Sequence, residues 1–210
     1  MSGTTSASGD QARGLEGAAG HPGVSMDALM ALASFQCARL ALHLLEEPAG
    51  NRLVAVLAGR GNNGEDALGC ARHLSDWGHP VRAVALGNVA DLEATPSRQA
   101  RAALARRVDL WPAGDDPQAA IEWALQGAGL IIDGPLGTDS TGPLKAAVAD
   151  AVPEITASAA AVMAVDLPSG LDGTTGYASG ECVCADDPVM LAIPKSGCLA
   201  QGAQPIVGRF

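Results

Sequence analysis

VAVLAGRGNNGEDALGCARHL, residues 54–74, decides the fold. A run of small apolar residues stops at Gly59, a Gly- and Asn-rich turn follows, and apolar residues then recur at three- and four-residue spacing. A short apolar run without alternation reads as a strand buried on both faces, and the periodic stretch as an amphipathic helix. The pattern predicts a strand over residues 53–59 and a helix from about Glu65 to Trp77. Glycine-rich turns between a strand and a helix usually cradle phosphates. This one carries Asn62, Asn63, Glu65 and Asp66, two acids where a phosphate wants none.

Working outward, the alternation repeats. Upstream, VSMDALMALASFQCARLALHLLEE carries apolar residues at helical spacing, with Ser25 placed as an N-cap. Downstream, strands are expected at 79–87, 108–112, 130–134, 161–170, 188–193 and 205–210. Helices are expected at about 95–107, 116–127 and 142–152; in the second, Asp116 is the N-cap, Pro117 the first residue and Gly127 the stop. Apolar strands separated by helices mean an α/β protein with a parallel sheet covered on both faces. Residues 1–22, rich in Ser, Gly, Thr and Ala, read as a flexible N-terminal tail, and residues 23–210 as one domain. The chain stops inside an apparent strand at Phe210, which points to a truncated C-terminal strand.

The 210 residues suit one domain with a sizeable core, and 48% hydrophobic against 17% charged residues makes it globular. A net charge of −10 disfavours nucleic-acid binding by bulk electrostatics, and the cluster Arg98, Arg101, Arg106 and Arg107 reads as a solvated helix face. Five irregularly spaced cysteines without a CxxC read as buried reduced thiols. No apolar leader opens the chain, and residues 26–45, containing Asp27, Arg39 and His43, read as too polar to span a membrane. The expectation is a cytoplasmic protein that binds neither nucleic acid nor membrane.

In parallel sheets the ligand sits at the carboxyl ends of the strands. Asp133 and Asp166 each end an apolar run and are followed by Gly and Ser or Thr, which suggests one shared site. GRGNNGEDALGCARHLSDWG, LIIDGPLGT, AVDLPSGLDGTTG and AIPKSGCLAQGA, in this order, resemble the NAD(P)H-hydrate epimerase family, also called the YjeF N-terminal domain family. The resemblance covers roughly residues 25–210; NNGxD together with DxPSGxDxxTG is its specific part.

The resemblance implies a three-layer α/β/α Rossmann-like sandwich with a mostly parallel central sheet, often a homodimer. It implies interconversion of the R and S forms of hydrated NADH and NADPH, which lets a partner dehydratase restore the cofactor. It places substrate contacts on Asn62, Asn63, Gly64, Glu65, Asp66, Gly137, Thr138 and Asp166, and a potassium ion on Asn63, Asp133 and Ser169. Asp166 and Lys195 are then the catalytic residues, Asp166 as the acid/base and Lys195 in the place of the family's lysine. Oxygen donors of these kinds suit a hard cation, and an acid/base must reach the reacting oxygen directly or through one water. Lys195 meets either a phosphate or an acid such as Asp166.

Three departures stand out: Glu65 and Asp139 each replace a family glycine, and LMALAS (29–34) lacks the family's Glu and Asn. Glu65 either favours the helix dipole or perturbs a pyrophosphate contact. Two alternatives accompany the epimerase reading. One is a non-catalytic nucleotide-binding or scaffold version of the fold. The other is an ordinary Rossmann oxidoreductase, against which the second strand lacks the terminal acid that would hold a ribose hydroxyl.

Overall fold

Parallel strand pairing carries the fold. The computed structural model describes residues 5–18, 25–45, 53–86, 108–114, 116–137, 142–144 and 146–209. In chain order the elements are α1 (Gly9–Ala18), α2 (Met26–Leu45), β1 (Val54–Ala58), α3 (Asn62–Asp76), β2 (Val81–Ala85), β3 (Asp109–Pro112), α4 (Pro117–Leu125), β4 (Leu130–Gly134), α5 (Ala146–Ala157), β5 (Ala161–Val165), β6 (Asp187–Val189) and α6 (Gln204–Val207). The strands form one sheet in the order β3-β2-β1-β4-β5-β6. Every pair is parallel, with Val54 opposite both Val81 and Leu130. The chain winds outward from β1 to β3, then crosses back to lay β4 on the other side of β1. That reversal opens a crevice beyond the carboxyl ends of β1 and β4.

Side-chain alternation builds the three layers. Val54, Val56, Ile132 and Val165 face α2 and α3, packing on Cys37, Ala38, Ala67 and Leu74. Ala55, Leu57, Ile131 and Ala164 face the opposite way, onto Ala120 and Ile121 of α4 and Val152 and Ile155 of α5. With both faces covered, β1 and β4 are buried along their whole length. A residue such as Ile131 or Ile132, wholly buried, contributes about 1.5–3 kcal/mol relative to exposure. The caps fall as expected: the Ala28 amide donates to Ser25 Oγ, and Asp116 accepts from the Ala119 amide with Pro117 in the first turn.

Four expectations are corrected. The tail read over residues 1–22 contains α1, opened by a capping box: the Gln11 amide donates to Ser8 Oγ and the Ser8 amide to Gln11 Oε1. The strand expected at 205–210 is instead α6, since Pro205 sits well in a first helical turn and a short apolar run does not separate strand from helix. Ala203 and Val207 bury themselves against Leu167, Leu171 and Cys198, and Phe210 lies outside the described residues. α3 begins at Asn62, so the asparagines belong to its first turn. Finally, α2 is long and apolar enough to cross a bilayer by length and composition, despite Asp27, Arg39 and His43. In the fold it packs on α3 with Ser34, Cys37, Ala38 and Ala41 buried. The helix expected at 95–107, with its arginines, lies outside the described residues.

Candidate active site

Glycines allow α3 to start where it does. A Cβ on Gly59 would stand 1.9 Å from the Pro135 carbonyl oxygen, and one on Gly64 would stand 2.0 Å from that of Gly59. One on Gly134 would meet Ala67 Cβ at 2.5 Å. The backbone ends of β1, β4 and α3 therefore touch, and the first turn of α3 opens onto the crevice. A Cβ on Gly61, the N-cap, would meet nothing within 4 Å among the described residues. Of the glycine spacing, Gly59 and Gly64 are demanded by close packing.

The crevice is a cavity of about 390 Å³. Asn62, Asn63 and Asp66 line it from α3, and Asp166 from the end of β5. Val189, Met190, Leu191 and Ala192 form a second wall. The third wall is α2, whose Leu29, Met30 and Ala33 face in. These α2 residues, in the segment that departs from the family, make that side apolar. Helical spacing places them beside the stripe that packs on α3.

Asp166 is held in an unusual backbone. Its φ is +70°, and the Leu167 amide donates across it to the Val165 carbonyl at 2.9 Å, a tight three-residue turn. Ala192 repeats the arrangement, with φ +55° and the Ile193 amide donating to the Leu191 carbonyl at 2.7 Å. No other non-glycine residue among those described has positive φ. Such positions cost of order 1–3 kcal/mol each and persist where their surroundings over-determine them. Here Lys195 ties the two turns together. Its Nζ donates to Asp166 Oδ1 and, at 2.8 Å, to the Leu191 carbonyl, while the Leu191 amide donates to Asp166 Oδ1 at 3.1 Å. Lys195 is wholly buried and does not line the cavity; Asp166 does. Of the two expected partners the lysine meets the acid.

Beneath the cavity lies a second cluster. Asp133, wholly buried at the end of β4, accepts the Ser169 amide on Oδ2 at 2.8 Å. Its Oδ1 has no hydrogen-bond partner among the described residues. Burial pushes its carboxyl up to about 6, against the opposing pull of the Ser169 backbone and side chain. Ser169 Oγ accepts the Leu136 amide, and Asn63 Nδ2 donates to the Leu136 and Val165 carbonyls at 3.1 and 2.8 Å. The three residues expected to hold a cation are thus drawn together around Leu136. An orphaned buried carboxylate oxygen beside neutral amide and hydroxyl groups fits a hard cation. Among the described residues no group of three or more His, Cys, Asp or Glu is placed to hold a metal ion, so a cation here would rest on the single carboxylate of Asp133 and on neutral oxygens.

The remaining expected residues fall around these clusters. Gly137 lies flat under the Asn63 amide, whose Oδ1 would be 2.5 Å from a Cβ there. Thr138 and Asp139 lie outside the described residues. Glu65 does not line the cavity; burial, then the nearby Asp27 charge, raises its carboxyl. Asp172 accepts the amides of Thr174 and Thr175 and the Thr175 hydroxyl, a loop-stabilising role. Cys37, Cys70 and Cys198 are buried free thiols, whereas Cys182 is half-buried and Cys184 exposed.

An all-parallel sheet in this order, with a largely apolar cavity at its switch point into which Asn62, Asn63, Asp66 and Asp166 bring polar groups, defines an α/β protein of the dinucleotide-fold class. Residues 26–197 match the family described as YjeF-related protein N-terminus, and the chain belongs to that family. It is 34% identical over 170 residues to an NAD(P)H-hydrate epimerase of Rhodopirellula baltica, covering 81% of this chain and 68% of that one. It is 36% identical over 166 residues to an NAD(P)H-hydrate epimerase of Limosilactobacillus fermentum, covering 79% and 76%. A bifunctional NAD(P)H-hydrate repair enzyme of Thermofilum pendens is 31% identical over 175 residues, which are 83% of this chain and 33% of that one. In structure the chain resembles the crystal structure of yeast ynu0, with a TM-score of 0.79 at 22% identity over 97% of this chain and 84% of that one, a likeness of fold.

Proposed function

We propose that this chain is an NAD(P)H-hydrate epimerase that interconverts the R and S forms of hydrated NADH and NADPH. One observation carries the reading: a buried ammonium–carboxylate pair reaches the cavity only through Asp166, at the switch point where the fold binds ligands. Relatives of this name, matched over most of the chain, support it.

In the hydrate, C6 bears a hydroxyl next to the ring nitrogen. A proton from the Lys195–Asp166 pair passes through Asp166 to that hydroxyl, which leaves as water while the nitrogen lone pair makes C6 planar. Water then adds to the opposite face and its proton returns to Asp166, so the pair ends as it began. Asp166 is the catalytic residue of this scheme. Lys195, expected to be catalytic, donates from Nζ to Asp166 and to the Leu191 carbonyl and acts as a positioning residue. Asn62, Asn63 and Asp66 bind the substrate from α3, whose first-turn amides are donors for phosphate or ribose oxygens. Gly64 brings that turn close by having no side chain.

In the same reading Asn63, Asp133 and Ser169 would hold a potassium ion, which would supply positive charge to offset that of Asp133 beside an anionic dinucleotide. The protein acts in the cytoplasm as a homodimer. Its functional partner is an NAD(P)H-hydrate dehydratase, and the bifunctional naming of the longer relatives supports a second activity beside this one. Neither nucleic acid nor membrane takes part.

The test is R/S exchange of hydrated NADPH by wild type and Asp166→Ala, in potassium and then sodium. Fast exchange lost in the variant is expected. Nucleotide binding without exchange by the folded wild type would refute the epimerase and favour a binding-only protein.

A further inference from the structure

The site of Asp166 depends on a loop that has almost no regular structure. Lys195 ties the two strained turns together, so the position of its backbone decides where the ammonium sits. Contacts on both sides hold that backbone. On one side the Gly197 amide donates to the Gly173 carbonyl at 2.9 Å, and Gly176 and Gly197 approach so closely that a Cβ on Gly176 would stand 2.4 Å from the Gly197 carbonyl oxygen. On the other side is the N-terminal segment. The Ala7 amide donates to the Pro194 carbonyl at 3.0 Å, and the Ser196 amide donates to the Ala7 carbonyl at 2.8 Å. These bonds make a parallel bridge centred on Lys195 itself.

The segment is anchored to do this. Ala7 is buried at 5% exposure, and Ala12 of α1 is wholly buried. The Gly9 amide donates to Thr174 Oγ1, and Ser196 Oγ donates to the Thr174 carbonyl, so the same loop braces both partners. The Ser8–Gln11 capping box fixes the exit into α1. The anchored segment itself, residues 5–18, lies before residue 26, where the family match begins.

We propose that residues 5–18 are a positioning segment for the reaction: Ala7, by pinning the backbone on both sides of Lys195, sets where the ammonium holds the Asp166 carboxylate. The inference rests on the epimerase reading for its kinetic consequence and on geometry alone for its structural one. Without the bridge, the Pro194 carbonyl and the Ser196 amide lose Ala7 as their partner, the Lys195 backbone relaxes, and the Leu191 peptide loses its hold on Asp166.

The test uses the full chain. Ala7→Pro removes the amide that donates to Pro194; Ala7→Gly keeps both backbone bonds. Hydrogen exchange at the Leu191 and Ser196 amides is measured beside kcat and KM for R/S exchange. For Ala7→Pro the expected result is at least tenfold faster exchange at both amides and at least a tenfold lower kcat, with KM within twofold. Ala7→Gly should stay within twofold of wild type on every measure. Faster Ser196 exchange with Leu191 protection and kcat unchanged would overturn the proposal, as would a raised KM with kcat intact. If Ala7→Pro does not fold, Thr174→Val removes the Gly9 anchor instead; about threefold effects on Leu191 exchange and kcat support the proposal, and none overturns it. A wild type without R/S exchange refutes the epimerase reading, and Leu191 protection then decides the clamp by itself.

Discussion

Replacing Asp133 by Asn should stabilise the ion-free protein, and by an amount that grows with pH. The Asp133 carboxyl is raised from 3.8 to about 6 because burial disfavours its charged form. The native state therefore holds this proton more tightly than the unfolded chain. That advantage is complete below pH 3.8 and is lost as the pH rises from there through 6; the loss, which is the cost of the buried charge, is constant above that. At about 1.4 kcal/mol per decade the cost is roughly 3 kcal/mol at pH 7.5 and about 1 kcal/mol at pH 4.5. Asn keeps an acceptor for the Ser169 amide and carries no charge to desolvate. Urea unfolding in potassium-free buffer should find Asp133→Asn more stable by roughly 3 kcal/mol at pH 7.5, or about 6–12 °C in Tm. The gap should narrow to about 1 kcal/mol at pH 4.5. Potassium should raise the Tm of wild type at pH 7.5 and leave the variant unmoved. An equal difference at both pH values, or a variant less stable at pH 7.5, would refute the reasoning.

Three further outcomes are expected. Lys195→Met strands a buried carboxylate and should cost about 3–5 kcal/mol in urea unfolding, while Lys195→Met with Asp166→Asn recovers part of that loss; additive losses would contradict the pairing. Gly64→Ala drives a Cβ to 2.0 Å from the Gly59 carbonyl oxygen and should cost about 1–3 kcal/mol or more, whereas Gly61→Ala, with nothing within 4 Å, should stay within about 0.5 kcal/mol, both read by thermal melts. Glu65→Gln removes a charge that burial and Asp27 disfavour; it should raise stability by under about 1 kcal/mol at pH 7 and leave KM for the hydrate within twofold, and a tenfold change in KM would place Glu65 at the substrate.

The parallel sheet was legible because its signal is local. VAVLA and LIID are apolar without alternation, and only strands buried on both faces tolerate that. The caps at Ser25 and Asp116 were equally local. Two segments misread as tail and strand also had local signals. Ser8 and Gln11 stand at capping-box spacing, and Pro205 favours a first helical turn, but each is weak beside composition and apolarity. The site was legible at Asp133, Asp166 and Asn63 because strand ends and a motif mark them. The α2 wall was less so, since a helix apolar on most sides does not announce which stripe meets its neighbour and which lines a cavity.

By itself the sequence determined the α/β alternation, the family, and the residues that gather at the switch point, all of which follow from spacing along the chain. The tertiary structure decided how those residues act. Only long-range pairing puts Lys195 behind Asp166 rather than against a phosphate, leaves one oxygen of Asp133 without a hydrogen-bond partner among the described residues, and bends Asp166 to positive φ. A side chain's partners, burial and backbone strain depend on segments distant in sequence, here as far apart as Ala7 and Lys195, and spacing carries no information about which of them meet.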